Sequence, residues 1–200
     1  MILPAHVALL VEYEARHMFD RDIRPTLLRV IRTDHPSAAV FEEFPVCRKG
    51  RADLVAVNAS LWGYEIKSAR DTLNRLPLQV ELYDCIFDFC VIVAAECHLR
   101  FAERIIPQHW GIFSVSGSTA LCEVIETRKP QQNPNRQVEQ IIRLLWKNEA
   151  LKTLRTHGVP VPRNAPVRLV WEILSQLPLH ELEESVRSAL KSRQAIEAAE

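Results

Sequence analysis

The chain has 200 residues and no net charge, and its 48% hydrophobic and 25% charged residues are ordinary for a soluble globular protein. It has no apolar run as long as a membrane span and no basic signal-peptide start, so we expect a cytoplasmic protein without a membrane partner. Five scattered cysteines without a Cys-x-x-Cys pair argue against a disulfide framework or a zinc site and predict reduced, buried thiols.

Charge is divided unevenly along the chain. Residues 1–127 carry 13 basic and 17 acidic residues, a net −4, whereas residues 128–200 carry 12 and 8, a net +4. An acidic metal centre beside a basic helical tail is one explanation, and chance fluctuation is the other. Composition forces no strongly basic surface, so any contact with nucleic acid has to be local.

Hydrophobic periodicity divides the first two thirds of the chain into helices and strands. Apolar side chains spaced along one face predict helices over residues 5–19 and 24–32. Alternating side chains then predict three consecutive strands, of which the second and third form a hairpin. The predicted strands cover residues 38–46, 52–58, 61–68, 90–96, 110–116 and 121–128, and the helices between them cover 77–88 and 98–106. This order of elements predicts an α+β fold with a mixed sheet.

The last third of the chain is predicted to be helical. Residues 129–136 form a polar segment with prolines, which we expect to link a core over residues 1–128 to a helical region over 137–200. The predicted helices of this region cover residues 137–157, 166–177 and 179–192.

The role of the helical region stays open. A cover over the sheet and a homodimer surface are two alternatives. A small DNA-binding appendage is the third, because basic residues cluster there. These basic residues are Lys152, Arg155, Arg163 and Arg168. Trp146 and Trp171 are expected in the core rather than as base-stacking side chains.

The hairpin within Arg51–Lys67 carries the residues with the clearest chemistry. Because side chains alternate along a strand, Glu65 and Lys67 point to one side and share it with Gly63, which leaves room above it. The other side is apolar and therefore faces the core; it holds Trp62, Tyr64 and Ile66. Pairing about the hairpin turn brings Asp53 within reach of Glu65.

Two carboxylates beside a lysine predict a site for Mg²⁺, or for Mn²⁺ in its place. Asp53 and Glu65 supply carboxylate oxygens, and the backbone carbonyl of Ile66 can supply a third ligand. Lys67 can orient or deprotonate water, or pair with a phosphate. Glu14 interrupts the apolar stripe of the first predicted helix, so it either lies at the edge of the core or joins the chemistry.

The pattern Asp53…Glu65-Ile66-Lys67 resembles the PD-(D/E)xK signature of the restriction-endonuclease-like nuclease superfamily. Ala52 stands where that signature has its proline, which is commonly absent. The predicted αβββαβ order of elements is similar to the core of that superfamily. The resemblance covers about residues 5–127, and it implies a restriction-endonuclease-like core with an all-helical C-terminal extension.

Two further features carry the resemblance. Gln79 and Tyr83 are similar to the Gln-x-x-x-Tyr motif that marks the RecB-like branch. Many members also carry an acid on the first helix, for which Glu14 is the matching candidate. The whole chain also resembles a group of small bacterial and phage proteins with this core and a helical tail.

The resemblance implies a metal-dependent nuclease that hydrolyses phosphodiester bonds, with DNA as the expected partner. Asp53, Glu65 and Lys67 would hold the metal and activate water, and Gln79 and Tyr83 would shape the site. A catalytically inactive nucleic-acid-binding module and an interaction protein of a phage or mobile-element defence system remain alternatives, because a fold does not guarantee activity. The acids and the lysine could also form a solvated strand face.

A basic turn precedes the hairpin. Arg48, Lys49 and Arg51 could contact phosphate, and a solvated basic turn is the equal alternative. The sequence does not decide whether the substrate is DNA or RNA, or whether cleavage depends on sequence. It also leaves open whether the protein would act as an endonuclease or as an exonuclease.

Overall fold

A six-stranded sheet organises the part of the chain that the structure describes. The structure is a computed structural model that describes residues 17–47, 49–119 and 121–197. The strands are β1 (Ala39–Val46), β2 (Gly50–Val57), β3 (Leu61–Lys67), β4 (Phe89–Ala95), β5 (Gly111–Gly117) and β6 (Cys122–Arg128). They lie side by side in that order, with β3, β4 and β5 parallel and the other neighbours antiparallel. The predicted α+β fold with a mixed sheet is confirmed.

Helices connect and cover these strands. They are α1 (Asp20–Asp34), α2 (Leu76–Asp84), α3 (Glu96–Ala102), α4 (Val138–Ile141), α5 (Lys147–Thr156), α6 (Val167–Leu174) and α7 (Leu179–Glu197). Parallel strands need a crossover, which α2 provides between β3 and β4 and α3 provides between β4 and β5. The first elements therefore follow the predicted order α1-β1-β2-β3-α2-β4.

Alternation along the strands separates two hydrophobic clusters, one on each face of the sheet. Leu54 and Ala56 of β2 pack in the same cluster as Leu27 and Ile31 of α1. Val55 belongs to the opposite cluster, together with buried side chains of α2. This is the alternation that the hairpin sequence predicts.

The C-terminal helices complete the second face. Their buried side chains join the cluster that contains Val55: Leu151, Leu154, Val170, Leu174, Leu182, Val186 and Leu190. In the preceding segment, the Asn133 amide donates to the carbonyls of Asp84 at 2.9 Å and Phe87 at 2.8 Å. The helical region thus packs on the sheet as a cover, while the division of the chain at residues 129–136 stays a prediction.

The helix predicted over residues 137–157 is interrupted. A 3₁₀ turn over Ile142–Leu144 follows α4, and Leu145 and Trp146 are extended before α5 begins. The Glu149 carboxylate accepts the Trp146 N–H at 2.7 Å and so caps α5. The break buries Leu145 and leaves Trp146 63% exposed, so the prediction of a core Trp146 is wrong.

The start of α1 also differs from the sequence prediction. The Asp22 carboxylate accepts the Phe19 N–H at 2.8 Å, which caps the helix four residues before the predicted start at residue 24. The helix predicted over residues 5–19 lies almost wholly outside the described residues.

Cys47, Cys85, Cys90 and Cys122 are free thiols. Cys90 is buried, Cys97 is exposed and the others are half-buried, so the prediction of buried thiols is right for Cys90 and wrong for Cys97. None of the described helices combines the length and the apolar character that crossing a membrane requires.

Substituting Gly63 with Ala is expected to destabilise the protein. The Phe87 ring fills the space above Gly63, and a Cβ atom there would lie 2.7 Å from Phe87 Cε2. The room expected above this glycine is therefore occupied. We expect Gly63→Ala to lower the free energy of unfolding by about 1–3 kcal/mol, measured by urea denaturation.

The matched comparison is the same change in a Phe87→Leu protein. The smaller side chain relieves the overlap, so the second substitution should cost less than in the wild type. Equal costs in the two backgrounds would contradict the contact.

Candidate active site

Strands β2 and β3 separate at Asp53, and this separation shapes the candidate site. Their antiparallel ladder ends at the pair formed by Leu54 and Tyr64. One residue further, Oδ2 of Asp53 accepts the backbone N–H of Ile66 at 2.7 Å. A side chain thus takes the place of a strand backbone, and the Asp53 carboxylate is fixed beside β3.

Glu65 lies at the centre of a buried hydrogen-bond network. Its Oε1 atom accepts from Lys67 Nζ at 2.6 Å and from the Gln79 amide, and its Oε2 atom accepts from the Tyr83 hydroxyl at 2.8 Å. Lys67 also donates to Gln79 Oε1 at 2.9 Å. Glu65 is 1% exposed and Lys67 is 4% exposed, so both charges depend on this pairing.

The Tyr83 hydroxyl bridges the two separating strands. It accepts the backbone N–H of Asp53 at 3.3 Å and lies 2.8 Å from Glu65 Oε2 and 3.1 Å from the Tyr64 carbonyl. A phenol has one proton to donate. The contact with the carboxylate is the shorter one, as expected for a hydrogen bond to a charged acceptor. Tyr83 therefore holds Glu65 in place while it replaces one ladder contact.

Helix α2 supplies two of these donors from one face. Gln79 and Tyr83 are one turn apart, so both point towards the sheet. The apolar periodicity of residues 77–88 predicts Leu78 on the buried face of this helix, but Leu78 is 52% exposed. The helix is rotated so that the polar pair, together with Val80, faces the sheet.

Burial dominates the electrostatics of the site. It raises the pKa of Asp53 from 3.8 to about 7; the Glu65 carboxylate adds to this rise and the Ile66 N–H opposes it. Burial also raises the pKa of Glu65, against the lowering influence of Lys67. Burial and the neighbouring carboxylates hold the pKa of Tyr83 well above its usual range, so its phenol is neutral.

Arg24 of α1 fastens the Asp53 segment from the other side. Its guanidinium donates to the backbone carbonyl of Asp53 at 2.9 Å and to Glu42 at 3.3 Å. It also donates to Asp20 at 2.5 Å and to Glu43 at 2.7 Å. One half-buried arginine therefore ties α1 and β1 to the strand that carries the acid.

Asp20 is an acid near the site that the sequence reasoning missed. Its carboxylate contributes to the raised pKa of Asp53. Its Oδ1 atom is buried and has no hydrogen-bond partner among the described residues. Glu14, the predicted first-helix acid, lies outside the described residues. The spacing of Asp20 and Arg24, one helical turn, was the available signal, but the helix was predicted to start too late to include it.

The oxygen atoms at the site fit a small divalent cation. Mg²⁺ binds through one or two carboxylates and keeps several waters. Asp53 and Glu65, with the Ile66 carbonyl, form such a set, and Oδ1 of Asp53 accepts no hydrogen bond from the described residues. The described chain has no group of three or more His, Cys, Asp or Glu side chains that could hold a metal ion. A metal ion at this place therefore stays a prediction.

The basic turn before β2 is brought only partly towards the site. Lys49 is exposed, and Arg51 is exposed but forms an ion pair with Glu43. Arg48 lies outside the described residues. The structure therefore gathers Asp53, Glu65, Lys67, Gln79 and Tyr83, and leaves phosphate contact by Arg48, Lys49 and Arg51 as a prediction.

Comparison with known proteins gives a family and two individual similarities. A family model described as bacteriophage P4 protein cII matches residues 19–198. Protein cII of Enterobacteria phage P4 is 26% identical over 145 residues, which cover 72% of this chain and 54% of that protein. The chain thus spans about half the length of this curated relative. A protein of unknown function from Silicibacter pomeroyi has a solved structure with a TM-score of 0.41 and 18% identity, covering 55% of this chain and 70% of that one.

Replacing Asp53 with Asn is expected to stabilise the metal-free protein above neutral pH. The folded protein retains the Asp53 proton up to about pH 7, whereas the unfolded chain loses it near pH 3.8. The folded state thus binds more protons across this interval, and the free energy of unfolding of the wild type falls as pH rises through it. The neutral Asn removes this loss, so we expect Asp53→Asn to be more stable by about 1–3 kcal/mol at about pH 8.

Urea unfolding in the presence of a chelator, repeated across this pH range, measures the difference. Asp34→Asn, at the exposed end of α1, is the control and should follow the wild type. A constant difference between Asp53→Asn and the wild type at every pH would contradict the raised pKa.

Proposed function

The chain belongs to the bacteriophage P4 protein cII family, and we propose that it is a metal-dependent nuclease that hydrolyses phosphodiester bonds of DNA. The observation that carries the proposal is the buried network of Glu65, Lys67, Gln79 and Tyr83 beside the raised-pKa acid Asp53. Buried acids with perturbed pKa values next to a paired lysine are typical of catalytic sites.

Asp53 and Glu65, with the Ile66 carbonyl, would hold Mg²⁺ or Mn²⁺. When bound, such an ion supplies charge neutralisation for the phosphate and lowers the pKa of a coordinated water. Asp53 presents its Oδ1 atom, which accepts no hydrogen bond from the described residues, once its proton is lost. Glu65 contributes an oxygen whose orientation is fixed by the donors around it.

With respect to the described residues, Lys67 has one N–H donor left for the substrate. A lysine ammonium has three N–H donors, and the hydrogen bonds to Glu65 and Gln79 use two of them. The third can reach a phosphate oxygen or a water. Because Gln79 and Glu65 fix the Nζ atom, this donor is positioned before the substrate arrives, which is what transition-state stabilisation requires.

We also propose that the chain is a PD-(D/E)xK nuclease of the RecB-like branch. The order α1-β1-β2-β3-α2-β4 supports this, as does the position of Gln79 and Tyr83 on the helix that follows the acid–lysine strand. DNA as the substrate would place the protein in the cytoplasm, in keeping with its free thiols.

A catalytically inactive nucleic-acid-binding module is the second candidate. The observation that favours it is that both oxygens of Glu65 already accept hydrogen bonds, Oε1 from Lys67 and Gln79 and Oε2 from Tyr83. Such a network stabilises the fold without a metal. The phage description of the family supports a third candidate, an interaction protein of a phage or mobile-element defence system.

Substituting Lys67 with Ala is expected to abolish DNA cleavage. We expect the wild-type protein to cleave single-stranded or double-stranded DNA with Mg²⁺ or Mn²⁺, and a chelator to stop it. Lys67→Ala removes the ammonium at the site, so the rate should fall by about a hundredfold or more. The rate is measured by gel electrophoresis of labelled DNA, with far-ultraviolet circular dichroism to check folding.

Glu81→Gln is the control, because Glu81 lies on the exposed side of α2. It should keep wild-type cleavage. If the wild type cleaves neither DNA nor RNA with any divalent metal tested, the nuclease proposal is wrong. Binding without cleavage would favour the second candidate.

Tyr83→Phe is expected to lower the rate without abolishing folding. The change removes the hydroxyl that joins Asp53 to Glu65 and keeps the ring that packs on Phe87 at 5.0 Å between centroids. We expect kcat to fall by about tenfold, and the free energy of unfolding by about 1–2 kcal/mol, with little change in KM.

Tyr64→Phe is the matched control, since Tyr64 belongs to the cluster on the opposite face of the sheet. Its hydroxyl does not contact the site, so kcat should stay at the wild-type value. A Tyr83→Phe enzyme with unchanged kcat would show that the bridging hydroxyl does not position the acids.

A further inference from the structure

A groove beside the edge strand β1 has a lining suited to a nucleotide. It encloses about 460 Å³ between β1, the 3₁₀ turn over Ile142–Leu144 and α7. Its lining combines aromatic rings, an amide and two cations: Phe41, Phe44, Trp146, Gln140, Arg143 and Arg193. No residue of the predicted nuclease site takes part in this lining.

Trp146 supplies an exposed aromatic ring to the lining of this groove. Its side chain is 63% exposed, although it follows a buried leucine. The Arg193 guanidinium lies 4.0 Å from the centroid of its ring. Arg193 is itself held by Glu149 at 2.8 Å and by the Leu144 carbonyl at 2.7 Å. An exposed ring held in this way offers a stacking surface at little entropic cost.

The lining of the groove also includes a cation without an ion-pair partner among the described residues. Arg143 forms no ion pair with any described residue, and its guanidinium lies 5.7 Å from the ring centroid of Trp171. Oε1 of Gln140 is buried and has no hydrogen-bond partner among the described residues. A cation suits a phosphate, and an exposed aromatic ring suits a base. Together with Trp146, these groups match the chemistry of one nucleotide.

The groove and the candidate active site are one strand apart. β1 lies next to β2, which carries Asp53. Glu42 lines the groove and accepts from Arg24 at 3.3 Å, and the same arginine donates to the Asp53 carbonyl at 2.9 Å. The groove therefore lies at the edge of the sheet, beside the strand that carries Asp53.

We propose that this groove binds an unpaired nucleotide of a single-stranded DNA segment that flanks the phosphodiester at Asp53. The choice of DNA as the ligand rests on the proposed nuclease function. A base in a duplex has both faces covered by its neighbours, so stacking on Trp146 selects an unpaired base. Arg143 pairs with its phosphate.

The test measures binding separately from cleavage. A Lys67→Ala protein in the presence of a chelator is titrated against a fluorescein-labelled oligothymidylate and against a labelled duplex, by fluorescence anisotropy. Adding Trp146→Ala should weaken single-strand binding by about tenfold and leave duplex binding unchanged. Trp146→Phe should retain most of the affinity, because it keeps an aromatic ring. Leu169→Ala, an exposed apolar residue on α6, is the control.

Arg143→Ala tests the phosphate contact. It should weaken single-strand binding and reduce the slope of log affinity against log salt by about one. Arg168→Ala is the matched control, because Arg168 is exposed on α6 and pairs with Glu172 at 3.0 Å. Circular dichroism and thermal unfolding confirm that each variant is folded.

The possible outcomes distinguish failure of the groove proposal from failure of the nuclease proposal. If the wild type cleaves no DNA but single-strand binding depends on Trp146 and Arg143, the groove stands and the nuclease proposal fails. If the wild type cleaves DNA and neither substitution changes single-strand binding, the groove proposal is overturned. Equal affinity for the duplex and the single strand would also overturn it, and would leave the groove to another class of partner.

Discussion

The buried carboxylate of Glu65 is the constraint on which the site and much of the fold depend. A carboxylate that is 1% exposed is stable only with charge compensation and filled hydrogen-bond positions. Lys67 supplies the charge from the same strand, and Gln79 and Tyr83 supply donors from α2. Helix α2, which connects β3 to β4, therefore contacts the sheet through polar side chains as well as through apolar ones. Both kinds of contact determine which face of α2 lies against the sheet.

The sequence predicted those parts of the site that follow from local periodicity. The period of two places Glu65 and Lys67 on one face of a strand, and the period of a helix aligns Gln79 with Tyr83. The structure brings these four residues together, as the two periods predict. The turn that returns the chain from β2 to β3 brings Asp53 to the same place.

Contacts between distant parts of the chain were beyond such reasoning. Arg24 reaches the carbonyl of Asp53, 29 residues away, and Glu43, 19 residues away, and no local pattern encodes these spacings. The ring above Gly63 belongs to Phe87, which arrives only after the crossover helix. The break before α5 likewise depends on a tertiary contact, since Arg193 of α7 holds the capping Glu149 at 2.8 Å. In each of these cases tertiary packing, rather than local sequence propensity, determines the observed structure.

Asp53 is the one acid of the candidate site that a purely stabilising polar network would not need. Glu65, Lys67, Gln79 and Tyr83 satisfy one another, and a protein that needed only a rigid core could keep those four alone. Asp53 adds a second acid to a place where burial and Glu65 raise its pKa to about 7, so its ionised form costs stability at neutral pH. Arg24 then holds the strand that carries it, through a hydrogen bond to the Asp53 carbonyl at 2.9 Å. An acid that destabilises the fold and is nevertheless anchored from both sides is the pattern expected where function, rather than stability, determines the residue.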